Sequence, residues 1–324
     1  MRFAVTGGNG LVGRSLTRAL IEEGHEVVVL FRSSVPKPFS DESRITLRKC
    51  DLTDVEGLRA AFDQVDGVFH VAAYTKPWAR NPRMYYEVNE MGTQNVCNAA
   101  LMAGVKRVVY TASAGIHGPQ QSDKLIDENT WPEAYFTDYE RSKYRGMQKA
   151  LSFVDKGLEV CVVSPARVYA VEPPSGSNVP VRMVCLYLKR NFGVVPADGT
   201  GIGSYVFMDD VVNGHILAMT KGTSGEEYLL GGDNLTYIEF FDRVKALTKT
   251  DHRVIKIPYA FSLFIGKTQL WMAENFGIEP IITTPWVRKY IHNWGIDSSK
   301  IAALGYRVTS FERGMHKVLG NLNC

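Results

Sequence analysis

The chain has 324 residues, 45% of them hydrophobic and 22% charged, ordinary globular proportions that leave room for one large domain or two modest ones. Its 37 Lys and Arg against 34 Asp and Glu give a net charge of +3, spread without a run of like charges. That argues against a nucleic-acid or acidic-membrane partner and for a small-molecule one.

The five cysteines, Cys50, Cys97, Cys161, Cys185 and Cys324, are odd in number and form no CxxC pair, so neither a disulfide framework nor a zinc site is expected and all are read as reduced thiols. Seven histidines are scattered without ligand spacing, and no metal is expected. No apolar run reaches the roughly 18 residues of a membrane span. The first strand is read from residue 2, leaving no room for a signal peptide, so a cytoplasmic protein is expected.

In chain order, short β-branched runs alternate with helix-length segments: RFAVTG, a helix to about Glu23, HEVVVLF, TLRKCDL, a short helix over 55–62, then GVFHVAA. A longer amphipathic stretch from about Met84 to Ala103 leads to RVVYTAS, and another from about Tyr139 to Asp155 leads to EVCVVSPARV. Strands buried on both faces read as continuous apolar runs, so the pattern predicts a doubly wound parallel α/β sheet covered by helices. After Ala170 the rhythm breaks at VEPPSGSNVP and returns only at SYVFMDDVVNGHILAM. The expected division is a nucleotide-binding unit over 1–166, completed by about 204–230, and a smaller interleaved substrate lobe over 167–203 and 231–324.

Gly7, Gly10 and Gly13 lie in VTGGNGLVG, which follows an apolar strand and opens a helix. Missing Cβ atoms there let a pyrophosphate approach the backbone N–H groups of the helix N-terminus. The second strand ends Leu30-Phe31-Arg32-Ser33-Ser34, without the acid that accepts from the 2′-hydroxyl of NAD. Arg32, helped by Ser33, Ser34 and Lys37, suits a 2′-phosphate instead, the alternative being a plain solvated charge. Asp51, after the third strand, is placed to accept from the adenine amino group or to cap a helix. In DYERSKYRG, Tyr139 and Lys143 stand four apart on one helical face, where an ammonium near the phenol lowers its pKa toward working pH. Such a tyrosine can pass a proton to or from a carbonyl or alcohol oxygen during hydride transfer, and the Ser113 hydroxyl, at a strand's C-terminal end, can bond the same oxygen.

With these residues in this order, the chain resembles the extended short-chain dehydrogenase/reductase superfamily over essentially its whole length. Ala72-Ala73 after the fourth strand, VNEMGTQNV, the SP of VVSPARV and MDDVVNGHILA fall where that superfamily has its counterparts. LLGGDNLTYIEFFDRV and DSSKIAALGYRV look like segments of its dihydroflavonol-4-reductase-like group, which includes 3β-hydroxysteroid dehydrogenase relatives and hopanoid-associated sugar epimerases. The resemblance implies a Rossmann-type fold, an NADP(H) or NAD(H) cofactor, a Ser113-Tyr139-Lys143 triad and frequently a homodimer. Cofactor contacts are then expected from Gly7, Gly10, Leu11, Val12, Gly13, Arg32, Asp51, Leu52, Ala72, Ala73, Tyr139, Lys143 and Pro165. Lys76, Trp78, His117, Arg167 and Tyr169 are expected on the substrate side, the alternatives being plain packing for Lys76 and Trp78 and, for His117, a loop histidine bonded to backbone. Ala170 where Gly is usual, Arg167 at a strand end facing the nicotinamide side and His117 where Tyr is common depart from the pattern.

Three functions compete. One is an NADP(H)-dependent reductase or dehydrogenase for a small hydrophobic or aromatic carbonyl or alcohol, another a nucleotide-sugar epimerase, the last a cofactor-bound sensor without turnover. The triad weighs against the sensor. Ala114 and Gly115 stand where 4,6-dehydratases of the superfamily carry acids. Ile202-Gly203-Ser204 lacks the arginine that epimerases place there for a diphosphate, although Arg182, Arg190 or Arg288 are possible substitutes. The aromatic stretch Tyr259 to Ile278 predicts an amphipathic helix, read as a core or dimer face or as an apolar lid, with Trp271 and Trp286 as candidate substrate contacts.

Overall fold

The computed structural model describes residues 1–34, 39 and 42–322, so Lys37 and Cys324 lie outside the described residues. The first half runs β1 (Arg2–Thr6), α1 (Leu11–Glu22), β2 (Glu26–Phe31), β3 (Ile45–Lys49), α2 (Val55–Ala61) and β4 (Gly67–His70). One helical stretch follows in three pieces, α3 (Arg83–Tyr86), a π-helical turn (Glu87–Met91) and α4 (Gly92–Met102). Then come β5 (Arg107–Thr111), α5 (Asp138–Leu151) and β6 (Glu159–Pro165). Beyond these lie β7 (Arg167–Tyr169), α6 (Val179–Arg190), β8 (Phe192–Pro196), β9 (Ile202–Phe207), α7 (Met208–Lys221), β10 (Glu227–Leu230) and β11 (Asp233–Thr236). The chain closes with α8 (Tyr237–Thr248), β12 (Arg253–Ile257), α9 (Tyr259–Phe276), α10 (Thr284–Tyr290), α11 (Ser299–Ala302) and α12 (Phe311–Gly320).

Seven strands form one wholly parallel sheet in the order β10-β6-β5-β4-β1-β2-β3. This is the expected Rossmann-type arrangement. Side chains alternate between the two faces, so each strand feeds two cores. Ala4, Val28, Leu30 and Val68 pack with Leu58, Val96 and Met147 of α2, α4 and α5, while Phe3, Val5, Val27, Val29 and Phe69 pack with Leu16, Leu20 and Val211 of α1 and α7. The edge strand β3 has water on one side, and its residues are only partly covered. The direction of winding reverses between β1 and β4, leaving a crevice beyond their carboxyl ends.

The second lobe has different material. β9 does not join the central sheet, which β10 completes. It pairs parallel with β7 and antiparallel with β11, and β8 with β12 makes a further parallel pair. These and α6, α8 and α12 enclose an aromatic core that includes Tyr169, Tyr187, Tyr205, Phe240, Phe241 and Phe311.

Two readings need correction. Cys50, Cys97 and Cys161 are free, but Cys185 is disulfide-bonded: an odd count without CxxC excludes a framework of bonds, not a single one. The helix expected over 259–278 forms as α9, yet it buries only Gly266 and Ala273 and leaves Phe261, Phe264, Trp271 and Phe276 exposed, so it is not a core face. Among the described residues no helix is long and apolar enough to cross a membrane.

Candidate active site

The glycine loop is shaped by its neighbours. Gly7 takes φ +71°, and a Cβ on it would lie 2.7 Å from Cα of Ala72 at the exit of β4. A Cβ on Gly13 would lie 2.3 Å from the Gly7 carbonyl oxygen, so α1 sits against the loop only because that atom is missing. Gly10 begins α1 with no side-chain cap, and the first turn holds no acid. Its backbone N–H groups and positive helix end therefore face the crevice without protein competition, a fit for the pyrophosphate of a dinucleotide.

A cleft of about 1060 Å³ runs from this loop across the sheet ends into the second lobe. Gly7, Gly10, Leu11, Val12, Arg32, Asp51, Leu52, Ala72, Ala73, Ser113, Tyr139, Lys143, Pro165 and Arg167 all line it; Gly13 lies just beneath. Arg32 and Ser33 are exposed at the end of β2, and the Asn9 amide donates to the Ser34 carbonyl, tying the loops together. Asp51 accepts from the Thr53 N–H and hydroxyl, both at 2.9 Å, which hold its carboxyl below the usual range with help from the Arg32 charge. It does not cap α2: Asp54 does, accepting from the Gly57 N–H at 2.9 Å.

At the centre, a reciprocal capping box of Thr137 and Glu140 starts α5 and fixes the turn that presents Tyr139. Ser113 follows β5, and its hydroxyl accepts the Gly115 N–H at 3.2 Å. Burial pushes the Tyr139 phenol above its ordinary pKa, and the hydrogen bond from Ser113 pulls it back only in part. Lys143 is 1% exposed; its ammonium donates to the Thr111 carbonyl at 2.5 Å and lies 4.4 Å from the Tyr110 ring centroid. Burial lowers its pKa to about 7. The expected lowering of the tyrosine by the lysine is thus not seen in this arrangement, because desolvation dominates both groups.

Two positioning contacts escaped the sequence reading. Asn89, in the π-helical turn, accepts the Tyr74 N–H at 2.7 Å and donates to the Ser142 hydroxyl at 2.9 Å, locking the loop after β4 to the helix that carries Tyr139 and Lys143. Asn89 belongs to VNEMGTQNV, where no local pattern marks its side chain as a bridge. Lys289 of α10 pairs with the buried Glu140 beside Tyr139, with its ammonium 4.5 Å from the Trp294 ring centroid, and so fastens the second lobe to α5.

Four residues expected on the substrate side lie elsewhere. Lys76 and Trp78 line a separate small pocket, and Lys76 pairs with Glu279 at 2.8 Å in the open. His117 is wholly buried, bonded to the Thr130 carbonyl at 2.8 Å and to Glu227 at 3.0 Å; burial disfavours its charge, but the Glu227 carboxylate prevails and its pKa is raised. Tyr169 is sunk in the aromatic core between Phe207 and Phe311, where Gly314 leaves room for its hydroxyl. Only Arg167 reaches the cleft. Its guanidinium stands 5.1, 5.6 and 5.8 Å from the ring centroids of Tyr237, Tyr205 and Tyr290. Trp286 lines the cleft as well, whereas Trp271 is on the surface. Among the described residues no group of His, Cys, Asp and Glu could hold a metal ion.

The chain is similar to known proteins over most of its length. The chain is 27% identical to a putative dihydroflavonol 4-reductase of Synechocystis over 97% of its own length and 92% of that protein's. It is 30% identical to sterol demethylase protein B of Methylococcus capsulatus over 80% of its length and 78% of the relative's. The crystal structure of gox2253, 28% identical, superposes with a TM-score of 0.81 over 98% of this chain and 96% of that one. Residues 3–231 match the NAD dependent epimerase/dehydratase family. The chain belongs to that family, within the extended short-chain dehydrogenase/reductase superfamily, and is an NAD(P)-dependent enzyme of this type.

Proposed function

We propose that the protein is an NADP(H)-dependent reductase of a ketone or aldehyde on a small, largely apolar substrate. The observation that carries this reading is the meeting of Ser113, Tyr139 and Lys143 in the cleft that begins at the glycine loop and Arg32. When bound, the nicotinamide supplies the hydride. Ser113 and Tyr139 hold the carbonyl oxygen by their hydroxyls, and Tyr139 gives it a proton as charge develops there; its raised pKa keeps the phenol protonated and able to donate. Lys143 sits on the same face of α5 and replaces charge lost from the phenol. Arg32, exposed where an NAD-binding protein carries an acid, favours a 2′-phosphate.

The second lobe supports a reductase over a nucleotide-sugar epimerase. Its cleft wall is built from Trp286, Tyr290, Trp294 and Tyr237 with the cations Arg167 and Lys289, the latter paired with Glu140, and Arg182, Arg190 and Arg288 are exposed outside it, so none of those three supplies a diphosphate clamp. The similarity to a putative dihydroflavonol 4-reductase points the same way. A panel of aromatic and aliphatic aldehydes and ketones, followed by NADPH absorbance, should show saturable oxidation of NADPH. UDP- and GDP-sugars should neither bind nor interconvert; epimer interconversion with no net NADPH change would assign the site to an epimerase.

A further inference from the structure

Arg167 is the group in the cleft to which carbonyl reduction gives no task. A guanidinium is charged at any working pH. Here Nη1 donates to the Tyr205 hydroxyl at 3.3 Å, while Nη2 and the hydroxyl of the neighbouring Tyr237 are both buried with no hydrogen-bond partner. Among the described residues no carboxylate pairs with it. A charge enclosed by neutral rings, with one guanidinium nitrogen buried and unpaired, is costly to keep, and such groups call for a partner. The place is also made to fit: a Cβ on Gly203 of β9 would lie 2.4 Å from Nη1, so the strand leaves out a side chain where the guanidinium rests. The other cation on that side, Lys289, is neutralised by Glu140.

We propose that Arg167 receives a carboxylate of the substrate, which makes the substrate an apolar oxo acid and not a neutral carbonyl compound. The reaction assigned to it rests on the reductase reading; the anion site does not. One guanidinium matches one carboxylate, fork to fork, whereas a diphosphate would meet a single uncompensated cation. Arg167 follows the end of β6 and Ser113 the end of β5, adjacent parallel strands, so carboxylate and carbonyl are held at neighbouring points of one small molecule. The aromatic rings around both take its apolar body. The carboxylate is held and not transformed.

The test compares 3-phenylpropanoate with 3-phenylpropanamide, titrated into the NADP⁺-loaded protein by calorimetry. The acid should bind at least about tenfold more tightly than the amide, and Arg167→Met should bring the two to one level without changing NADP⁺ affinity. Gly203→Ala, which keeps the charge but displaces it, should weaken the acid alone and serves if the methionine variant does not fold. With NADPH, 4-oxo-4-phenylbutanoate should exceed its methyl ester in kcat/KM through KM, and only in the wild type. Equal binding of acid and amide, or acid binding that survives Arg167→Met, overturns the proposal; so does Arg167-dependent binding of UDP tighter than that of the acid. Reduction of acid and ester alike leaves the reductase reading standing and this one fallen. Arg167-dependent binding with no turnover of any carbonyl compound does the reverse.

Discussion

The two walls of the cleft recognise by opposite means. On the wall proposed for the cofactor, the surface is made by side chains that are missing: Gly7, Gly10 and Gly13 let the backbone of β1, β4 and α1 close up, and Ala72 and Ala73 continue the bare surface. On the wall proposed for the substrate, large side chains from separate elements converge: Arg167 from β7, Tyr205 from β9, Tyr237 from α8, Trp286 and Tyr290 from α10. The first wall turns on one short glycine loop packed against the exit of β4, where a Cβ on Gly7 or Gly13 would strike backbone. The second is an assembly whose identity rests on tertiary packing of elements outside the central sheet. Tyr139 stands at the seam.

The strongest way to test that division is at the seam itself. Tyr139→Phe should lower kcat by roughly 10²–10⁴ while NADP(H) binds nearly as before, since it removes one proton donor and no packing. Undiminished kcat in this variant would place the chemistry elsewhere. Next comes Gly13→Ala, whose Cβ must push against the Gly7 carbonyl; calorimetry should show NADP(H) affinity falling by roughly a hundredfold. Trp286→Leu should instead leave cofactor affinity within about twofold and raise substrate KM. An exchange of these two outcomes would break the comparison between the walls.

Lys143 sharpens the account through stability. Its folded pKa of about 7 lies below the ordinary 10.5, so between those values the unfolded chain holds a proton that the folded one does not. Its contribution to stability therefore declines as pH falls from 10.5 to 7 and stays at its lowest below that. Lys143→Met should stabilise the cofactor-free protein by on the order of 2 kcal/mol near pH 6 in denaturant unfolding, with the gain vanishing toward pH 11. A pH-independent gain would mean the ammonium is not held in a desolvated site. The smallest effect is at the rim: Arg32→Asp should turn an NADP(H) preference of at least roughly tenfold into one for NAD(H), and equal affinities in the wild type would deny Arg32 that role.

What was legible in the sequence follows the same split. The parallel sheet announces itself through runs such as EVVVLF and EVCVVSP, buried on both faces, and the loop through glycines only a few residues apart. Tyr139 and Lys143 are related by one helical turn, which spacing reveals. Lys289 with Glu140, or Asn89 with Ser142, are joined only by folding, across 149 and 53 residues, and nothing local marks them. The lobe misled in a further way: Tyr169 follows Arg167 on one strand, and sequence proximity to the cleft said nothing about depth, which Phe207 and Phe311 decide. Nor could spacing show that burial, with Ser113 and not the lysine opposing it, would set the tyrosine's pKa.

The most direct test of the central claim is the fate of the hydride. NADPH carrying deuterium at the transferred position of C4, incubated with the enzyme and an accepted carbonyl compound, should deliver the label to the carbinol carbon of the product, one NADP⁺ formed for each alcohol. Label that stays with the cofactor while a nucleotide sugar is converted to its epimer would contradict the account.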